Sequence, residues 1–267
     1  MYAVFDGHGG DWCAKFITQR FEEEIKKNML DPEKGLFGTK QVPFNECIHN
    51  VLDKSFKNLD ERYYNERNHL ANKCGSTACV VFIIGAHIFC ANIGDSRAVL
   101  SKNGKAINLS MDHKASRDDE VERIKKSDGQ VELGRVGGKI AITRAFGDFE
   151  FKIIIDDEGQ LVRKDIIIAE PEIRAYNYDP NQDEFIIIAS DGLFDIFSSQ
   201  EAVDFVKEKM KGYSHLKQDF DVISKQIAFE AIFKKGVRDN TTVIIINLNR
   251  GTKFSLDFFD NKNRRPS

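Results

Sequence analysis

The sequence predicts an α+β fold in which two antiparallel sheets carry pairs of helices on their outer faces. Three observations predict this. In the middle of the chain, short strands follow one another without helices between them, which is typical of antiparallel sheets. Helical periodicity appears in pairs, one early and one late in the chain. The 267 residues are 41% hydrophobic with only 5 Pro, which allows a sizeable core and excludes a disordered or collagen-like chain.

The first part of the chain predicts one strand, two helices and four further strands. Residues 2–5 form a short apolar strand. Apolar residues recur at helical spacing over residues 11–29 and 44–64. Consecutive strands are then predicted over residues 78–84, 87–93, 97–101 and 105–109. Asn103 and Gly104 both tolerate a positive φ, so they predict a two-residue turn between the last two strands.

The second part predicts alternating short elements and then two helices. A short helix covers residues 117–127, and a hairpin joins residues 152–156 to 160–163. Residues 185–190 are continuously apolar, which indicates a strand buried on both faces. Ser198 and Glu201 form a capping box for a helix that ends near Met210. A further helix over 219–235 and a strand over 242–247 complete a domain of residues 1–249, and residues 250–267 form a polar tail.

Charge and composition exclude several classes of function. With 39 basic and 42 acidic residues the net charge is 39 − 42 = −3, so a general nucleic-acid-binding surface is not expected. The longest apolar stretch, residues 78–93, is shorter than the roughly 20 residues of a membrane helix. No signal peptide is expected, and five cysteines without a Cys-x-x-Cys pair indicate reduced thiols. We therefore expect a cytoplasmic or nuclear monomer that binds neither membranes nor nucleic acid.

Acidic residues lie at the ends of several predicted strands. Asp6 and Asp191 each follow an apolar strand, Asp239 comes shortly before one, and Asp95 follows another. In an antiparallel sheet the end of one strand lies beside the start of its neighbour, about 4.8 Å away. The first three carboxylates are therefore expected to converge on one edge of the sandwich. Hard oxygen donors suit Mg²⁺ or Mn²⁺, and a pair of such ions can activate a water and clamp a phosphoryl oxygen.

Two residues beside Asp6 fit the same chemistry. Gly7 can offer its carbonyl to a metal, and His8 can protonate a leaving alkoxide near neutral pH. Each feature also has a structural alternative, because Asp-Gly at a strand end is usually a turn and a single histidine is often structural. Asp128-Gly129 follows a charged helix and is interpreted as a turn of this ordinary kind.

Eight short motifs occur in a defined order along residues 2–248. They are YAVFDGHGG (2–10), GSTA (75–78), ANIGDSR (91–97), DHK (112–114), TRAFGD (143–148), Pro171-Glu172, IASDGLFD (188–195) and DNTT (239–242). Any one of them is weakly specific, but the ordered set is very specific. It resembles the metal-dependent protein serine/threonine phosphatases of type 2C.

The resemblance implies an α-β-β-α sandwich with a dinuclear metal site at one edge. It implies two Mg²⁺ or Mn²⁺ ions, with Asp6 as the bridging ligand and the carbonyl of Gly7 on one ion. Asp191 and Asp239 correspond to the other metal-binding aspartates. The implied activity is hydrolysis of phosphoserine and phosphothreonine in proteins by a metal-activated water, with phosphorylated proteins as partners.

Three further residues receive roles from the resemblance. His8 corresponds to the proposed general acid. Asp95 and Asp195 correspond to positions linked to a third, weaker metal site. No residue of this sequence is assigned to substrate binding.

The sequence departs from the family pattern at its start. Only five residues precede Asp6, whereas family members usually begin with a further strand pair that carries a supporting acid and often a phosphate-binding arginine. We expect an unpaired sheet edge, weaker phosphate binding and weaker occupancy of one metal site. The alternative function is a pseudophosphatase that binds phosphoproteins with little or no turnover. Retention of the metal-binding aspartates argues against that alternative.

Overall fold

Two four-stranded antiparallel sheets form the centre of the structure, a computed structural model that describes residues 1–31, 33, 35, 36, 42–71, 73–156, 158–212, 219–234 and 239–248. In chain order the elements are β1 (Tyr2–Val4), β2 (Gly7–His8), α1 (Trp12–Met29), α2 (Phe44–Ala71), β3 (Gly75–Ser76), β4 (Ala78–Ile84), β5 (His87–Ile93), β6 (Arg97–Lys102), β7 (Lys105–Asn108), α3 (Asp118–Lys126), β8 (Val131–Glu132), β9 (Arg135–Val136), β10 (Phe146–Gly147), β11 (Ile153–Ile155), β12 (Leu161–Arg163), β13 (Glu172–Asn177), β14 (Asp183–Ala189), α4 (Asp191–Phe194), α5 (Ser199–Lys211), α6 (Phe220–Phe229) and β15 (Val243–Asn247). A π-helical turn (Glu230–Lys234) continues α6.

The strand order confirms the predicted antiparallel sheets. The first sheet has the order β1-β4-β5-β13 and the second has the order β15-β14-β6-β7. Every neighbouring pair in both sheets is antiparallel. A small third sheet, in the order β10-β3-β2, pairs strands that are far apart in the sequence. Within the described residues β1 hydrogen-bonds to β4 alone, as expected for a sheet edge.

Alternating side chains of β14 show how the two sheets and the late helices pack. Ile186 and Ile188 belong to a core shared with residues of the first sheet, such as Val81. Phe185 and Ile187 point the other way, into the core formed with α5 and α6. Because successive side chains of a strand face opposite sides of the sheet, one strand can serve both layers.

The first sheet is covered by the early helix pair. Val80 and Phe89 on its outer face pack with apolar residues of α1 and α2. Phe21 of α1 and Phe56 of α2 meet edge to face, with ring centroids 5.3 Å apart. Each fully buried phenylalanine contributes roughly 1.5–3 kcal/mol of transfer free energy. The layers therefore run helix pair, sheet, sheet, helix pair.

Most predicted elements are confirmed, with small shifts at their ends. The strand buried on both faces is β14, and Ser198 with Glu201 forms both hydrogen bonds of the capping box before α5. Asn103 and Gly104 adopt φ angles of 49° and 76°, as the predicted turn requires. The second helix extends further than predicted, to Ala71, with a kink at Arg67 (φ −140°, ψ 32°).

One strand of the first sheet was missing from the prediction. β13 alternates charged and apolar residues only from Glu172 to Ala175, and Tyr176 with Asn177 breaks the alternation, so its sequence carries a weak strand signal. It is defined by pairing with β5 along its whole length. The short strands β2, β3 and β10 were also missed, because two-residue elements have no periodicity to detect.

The five cysteines are all buried free thiols. Among the described residues, no helix has the length and apolar composition needed to cross a membrane. The polar tail at 250–267 lies outside the described residues, so the domain boundary remains a prediction.

Glu120 of α3 anchors the start of the motif TRAFGD. Its carboxylate, 2% exposed, accepts hydrogen bonds from Arg144 at 2.6 and 3.0 Å, from Thr143 at 2.7 Å and from Arg123 at 2.8 Å. Burial alone would raise the pKa of Glu120, but the bonds from Arg144 and Arg123 lower it to about 2. Glu120 therefore stabilises the fold in its ionised form.

Replacing Glu120 by Gln is expected to reduce stability in a pH-dependent way. The folded pKa lies below the unfolded value of 4.5, so the ionised carboxylate stabilises the fold above pH 4.5 and this stability is lost as the pH falls towards 2. The loss amounts to up to roughly 3 kcal/mol at pH 7. In urea unfolding of the metal-free proteins at pH 7, 5 and 4, the difference in free energy of unfolding between the variant and wild type should become smaller as the pH falls.

The matched control for this measurement is Glu122→Gln on the same helix. Glu122 pairs with Lys126 at an exposed position, with 68% of its side chain accessible. Exposed pairs contribute little, so this variant should unfold almost as wild type at every pH. Equal pH dependence of the two variants would contradict the anchoring role of Glu120.

Candidate active site

The ends of several strands meet at one end of the two stacked sheets. In the first sheet, the ends of β1 and β5 lie on either side of the start of β4. In the second sheet, the end of β14 lies between the starts of β6 and β15. Asp6 follows β1, Asp95 lies between β5 and β6, Asp191 follows β14, and Asp239 precedes β15. All four acids therefore occupy this common end.

The structure brings six of the seven predicted site residues into one cleft of about 450 Å³. They are Asp6, Gly7, His8, Asp95, Asp191 and Asp239. The convergence arises differently from the expectation of neighbouring strands at one sheet edge. Asp6 borders the first sheet, whereas Asp191 and Asp239 border the second. Stacking of the two sheets, rather than pairing within one sheet, brings these carboxylates together.

Backbone contacts hold the loops of the cleft in register. Thr77 donates its N–H to the Asp6 carbonyl at 2.9 Å, and its hydroxyl lies 2.7 Å from that of Ser96. Thr77 thereby connects the Asp6 loop of the first sheet to the β5–β6 crossing. Ser190 similarly contacts Asn240, with 3.2 Å between the Ser190 hydroxyl and the Asn240 carbonyl. The loops that carry Asp191 and Asp239 are therefore tied to each other.

The carboxylates of the cleft repel one another. Burial and the charges of Asp191, Asp239 and Asp95 raise the pKa of Asp6 to about 7. Burial and Asp191 raise the pKa of Asp95 to about 6, against the opposite effect of Lys114. Burial and the charges of Asp195 and Asp239 also raise the pKa of Asp191. Such a cluster requires protons or cations to remain folded together.

The donor set fits hard divalent cations. Asp191 Oδ1 is buried and has no hydrogen-bond partner in the described part of the chain, which leaves a costly unpaired oxygen. Within the same residues, no group of three or more His, Cys, Asp or Glu side chains is arranged closely enough to hold a metal ion by itself. Mg²⁺ and similar ions keep several waters and take only one or two carboxylates each, so an open arrangement is compatible with them.

His8 forms a short hydrogen bond with a residue to which the sequence analysis gave no role. His8 Nε2 lies 2.6 Å from Asp148 Oδ2. Burial alone would lower the pKa of His8, but the bond and the charge of Asp148, with Asp6 and Asp95, raise it above its usual value. Asp148 therefore orients the imidazole and favours its protonated form near neutral pH.

The small third sheet explains this contact. Its central strand β3 pairs His8 with Gly75 on one side and Gly147 with Gly75 on the other. Asp148 follows directly and adopts a left-handed conformation, with φ 52° and ψ 40°. The sequence did contain a signal for Asp148, because Asp148 belongs to the motif TRAFGD, just as Asp6 and Asp191 belong to motifs of their own. Only the 140-residue separation in sequence hid its partner.

Asp195 lies apart from the cleft lining. Its side chain is 58% exposed and accepts a hydrogen bond from Lys114 at 3.2 Å. The same ammonium lies 3.9 Å from Asp95. Lys114 thus offsets part of the negative charge of the two residues assigned to a third metal, and an ion there would have to compete with it. The third metal site stays a prediction.

A group of cationic residues lines the cleft beside the carboxylates. Lys73, Arg135 and Lys139 all contribute to its wall. Arg135 donates to the carbonyl of Lys139 at 2.8 Å, and Lys139 lies 3.5 Å from Glu150. Lys73 has no hydrogen bond or ion pair with any described residue. This wall was not predicted because Lys73 is distant in sequence from Arg135 and Lys139, and none of the three belongs to a motif.

Replacing Gly75 by Ala tests the close approach between β2 and β10. A Cβ atom at this position would stand 2.4 Å from His8 Nε2 and even nearer to Asp148 Oδ2, so the two side chains must separate. We expect a loss of roughly 1–3 kcal/mol in the free energy of unfolding, as for other overpacked sites. We also expect the histidine resonances to shift in the NMR spectrum of the folded variant.

The control is Gly212→Ala at the end of α5. Gly212 has an ordinary helical φ of −69°, and an added Cβ would meet its nearest neighbour at 3.4 Å. This variant should match wild type in stability and in histidine resonances. A Gly75→Ala protein with unchanged stability and histidine resonances would contradict the described geometry.

Comparison with known proteins agrees with these features. Residues 1–241 match the family model of Protein phosphatase 2C. The chain is similar to Protein phosphatase 1A of Homo sapiens, with 32% identity over 257 residues that form 96% of this chain and 64% of that protein. It is 35% identical over 249 residues to Protein phosphatase 2C homolog 3 of Schizosaccharomyces pombe, covering 93% of this chain and 56% of that protein.

Solved structures show the same architecture. A C. elegans sex determining protein superposes with a TM-score of 0.74 and 26% identity, over 92% of this chain and 55% of that one. A phosphatase from Toxoplasma gondii superposes with a TM-score of 0.70 over 92% of this chain and 83% of that one, and its 22% identity supports the fold alone. With the family model matched along most of its length, this chain belongs to the protein phosphatase 2C family.

Proposed function

We propose that this chain is a metal-dependent phosphatase that removes phosphate from phosphoserine and phosphothreonine in proteins. The observation that carries the proposal is the meeting of Asp6, Asp191 and Asp239 with the His8–Asp148 pair in one cleft. The family relationship supports the same reaction, although the chain spans less than two thirds of the length of the relatives described above. In this proposal the protein acts as a monomer in the cytoplasm or nucleus.

The acidic residues would hold two divalent cations, either Mg²⁺ or Mn²⁺. Asp6, the carbonyl of Gly7, Asp191 and Asp239 would supply the ligands, and Asp95 with Asp195 would serve a weaker third site. When bound, such ions supply Lewis-acid chemistry that activates water and neutralises phosphate charge. Their charge would also relieve the repulsion that raises the pKa of Asp6 and Asp95.

His8 would protonate the leaving oxygen of serine or threonine as its bond to phosphorus breaks. An alkoxide is a strong base, so protonation in the transition state lowers the barrier, typically by about 10²–10⁴-fold in rate. The bond to Asp148 occupies Nε2, which leaves Nδ1 as the nitrogen that delivers the proton. Asp148 keeps the ring oriented and stabilises its positive charge.

The cationic wall would receive the substrate. A phosphoryl dianion entering a cleft of carboxylates is repelled unless positive groups guide it. Arg135 and Lys139 would contact substrate near the mouth of the cleft, and Lys73 has its ammonium available for phosphate. This assigns a substrate-binding role that the motifs alone leave open.

Substitution of Asp191 tests the activity. Phosphate release from a phosphothreonine peptide should require Mn²⁺, disappear with EDTA, and fall more than about 100-fold in Asp191→Asn, beyond the usual effect of losing an outer-shell partner. The control is Asp128→Asn, which changes an exposed Asp-Gly turn paired with Lys164 outside the cleft. Circular dichroism must show all proteins equally folded.

The alternative function has a distinct outcome in the same experiment. A folded wild-type chain that binds the phosphopeptide but releases no phosphate would identify a phosphoprotein-binding pseudophosphatase. Equal loss of activity in both aspartate variants would contradict the assignment of Asp191. No finding so far favours the alternative, since His8 and the ligands predicted for the two principal metals line one cleft.

Lys73 provides a separate test of substrate binding. Lys73→Gln should raise KM for the phosphopeptide by roughly threefold to tenfold with little change in kcat, because a partly exposed charge contact contributes about 1 kcal/mol. Added salt should narrow the difference from wild type. Lys225→Gln, which removes an exposed charge paired with Asp221 on α6, should leave KM unchanged. An unchanged KM in Lys73→Gln would remove Lys73 from the substrate site.

A further inference from the structure

A buried ion pair lies behind the catalytic cleft, in the layer between α2 and the small third sheet. Asp60 of α2 is 1% exposed and Lys152 is 2% exposed, and Lys152 Nζ lies 2.7 Å from Asp60 Oδ2. Neither residue lines the cleft, and no motif of the sequence includes either one. The pair lies between helix α2 and the segment that ends in Asp148.

Both partners also bind the backbone of that segment. Asp60 Oδ1 accepts the N–H of Gly147 at 2.8 Å. Lys152 donates a second hydrogen bond to the carbonyl of Ala145 at 2.9 Å. The pair therefore grips the chain at two points, one and three residues before Asp148. These bonds are directional, whereas apolar packing in their place would not define the position of the backbone.

The segment needs such support because its conformation is unusual. Gly147 and Asp148 both have positive φ, 73° and 52°. A left-handed conformation at a residue other than glycine persists only where its surroundings enforce it. The enforced conformation directs the Asp148 carboxylate to His8, at 2.6 Å. The path from Asp60 to His8 thus has three steps, each with a hydrogen bond or a covalent neighbour.

The energetics favour a positional role over a stabilising one. Burying two charges costs free energy that their attraction repays only in part, and replacement by apolar residues of similar volume is often neutral or stabilising. Burial raises the pKa of Asp60 despite the opposing effects of Lys152, the Gly147 N–H and Arg163, which lies 3.9 Å from Asp60 Oδ2. An ion pair retained under these conditions is best explained by the backbone groups that it orients.

We propose that Asp60 and Lys152 are positioning residues for the general acid, acting on His8 through Asp148. The proposal rests on the proposed phosphatase function, because it concerns proton delivery in that reaction. Asp60 and Lys152 touch neither substrate nor metal ligands. They hold residues 145–147 so that Asp148 can orient the imidazole.

The test compares two substrates that differ in their leaving group. The leaving group of a phosphothreonine peptide is an alkoxide, a strong base that needs a proton. The leaving group of p-nitrophenyl phosphate is a weakly basic phenolate, which hardly needs one. A misplaced general acid lowers kcat for the first substrate only. Damage to the metal site or partial unfolding lowers kcat for both. The ratio of the two kcat values therefore reports on His8 and not on folding.

The principal variant is the charge-free pair Asp60→Leu with Lys152→Met, which avoids leaving one buried charge alone. We expect it to fold, and to lose roughly 10- to 100-fold in kcat on the peptide, a part of the full effect of general acid catalysis. Its KM for the peptide and its kcat on p-nitrophenyl phosphate should stay close to wild type. His8→Ala sets the maximum change in the ratio, and Asp148→Ala should approach it.

The matched control is Glu24→Gln, in another buried polar cluster between α1 and α2. Glu24 is 3% exposed and accepts hydrogen bonds from Asn28 and Asn58, and it has no hydrogen bond with residues 145–148 in the described part of the chain. This variant should keep the wild-type ratio even if its melting temperature falls. Asp60→Asn retains an acceptor for the Gly147 N–H, so it should change the ratio less than the double variant does.

The possible results distinguish failure of the positioning role from failure of the phosphatase function. A folded double variant with an unchanged ratio would overturn the positioning role, and so would failure of that variant to fold, because the pair would then be needed for stability. A wild-type chain without metal-dependent release from either substrate would instead overturn the phosphatase function. A lowered ratio in the double variant together with an unchanged ratio in Glu24→Gln would support the inference.

Discussion

The core shared by the two stacked sheets is the constraint on which the rest of the structure depends. Alternating side chains of β14 serve this core on one side and the α5–α6 core on the other. Since the period of a strand is two, a register shift of one residue would exchange these faces and expose apolar side chains. The stacking therefore sets which strand ends coincide, and hence which loops border the cleft.

The cleft is a place where the fold holds like charges together. Asp6, Asp95 and Asp191 would separate in a flexible chain, yet they follow the ends of β1, β5 and β14. Of these strands, β5 and β14 are almost fully buried. Burial of the apolar layers on either side offsets the unfavourable free energy of this charge repulsion. The unpaired Asp191 oxygen and the clustered negative charge would favour a cation of high charge density at this end of the sandwich.

The segment 143–148 is held from two sides by buried charge. Glu120 binds its beginning through Thr143 and Arg144, and the Asp60–Lys152 pair binds its end. The first anchor comes from α3 and the second from α2, which are distant in sequence. Between them they define one short path for the backbone, and that path ends at the carboxylate beside His8. Orientation of the imidazole therefore depends on both anchors together.

The sequence by itself determined the elements and the acidic and imidazole groups of the site. Periodicity predicted most helices and strands, because residues that share a face are three or four positions apart in a helix and two apart in a strand. Position at strand ends singled out Asp6, Asp191 and Asp239. Only the tertiary structure decided that Asp6 belongs to a different sheet from the other two, that β13 completes the first sheet, and that Asp148 bonds His8. These features depend on pairings between residues far apart in the chain, and local hydrophobic patterns carry no record of the partner that such a residue will meet.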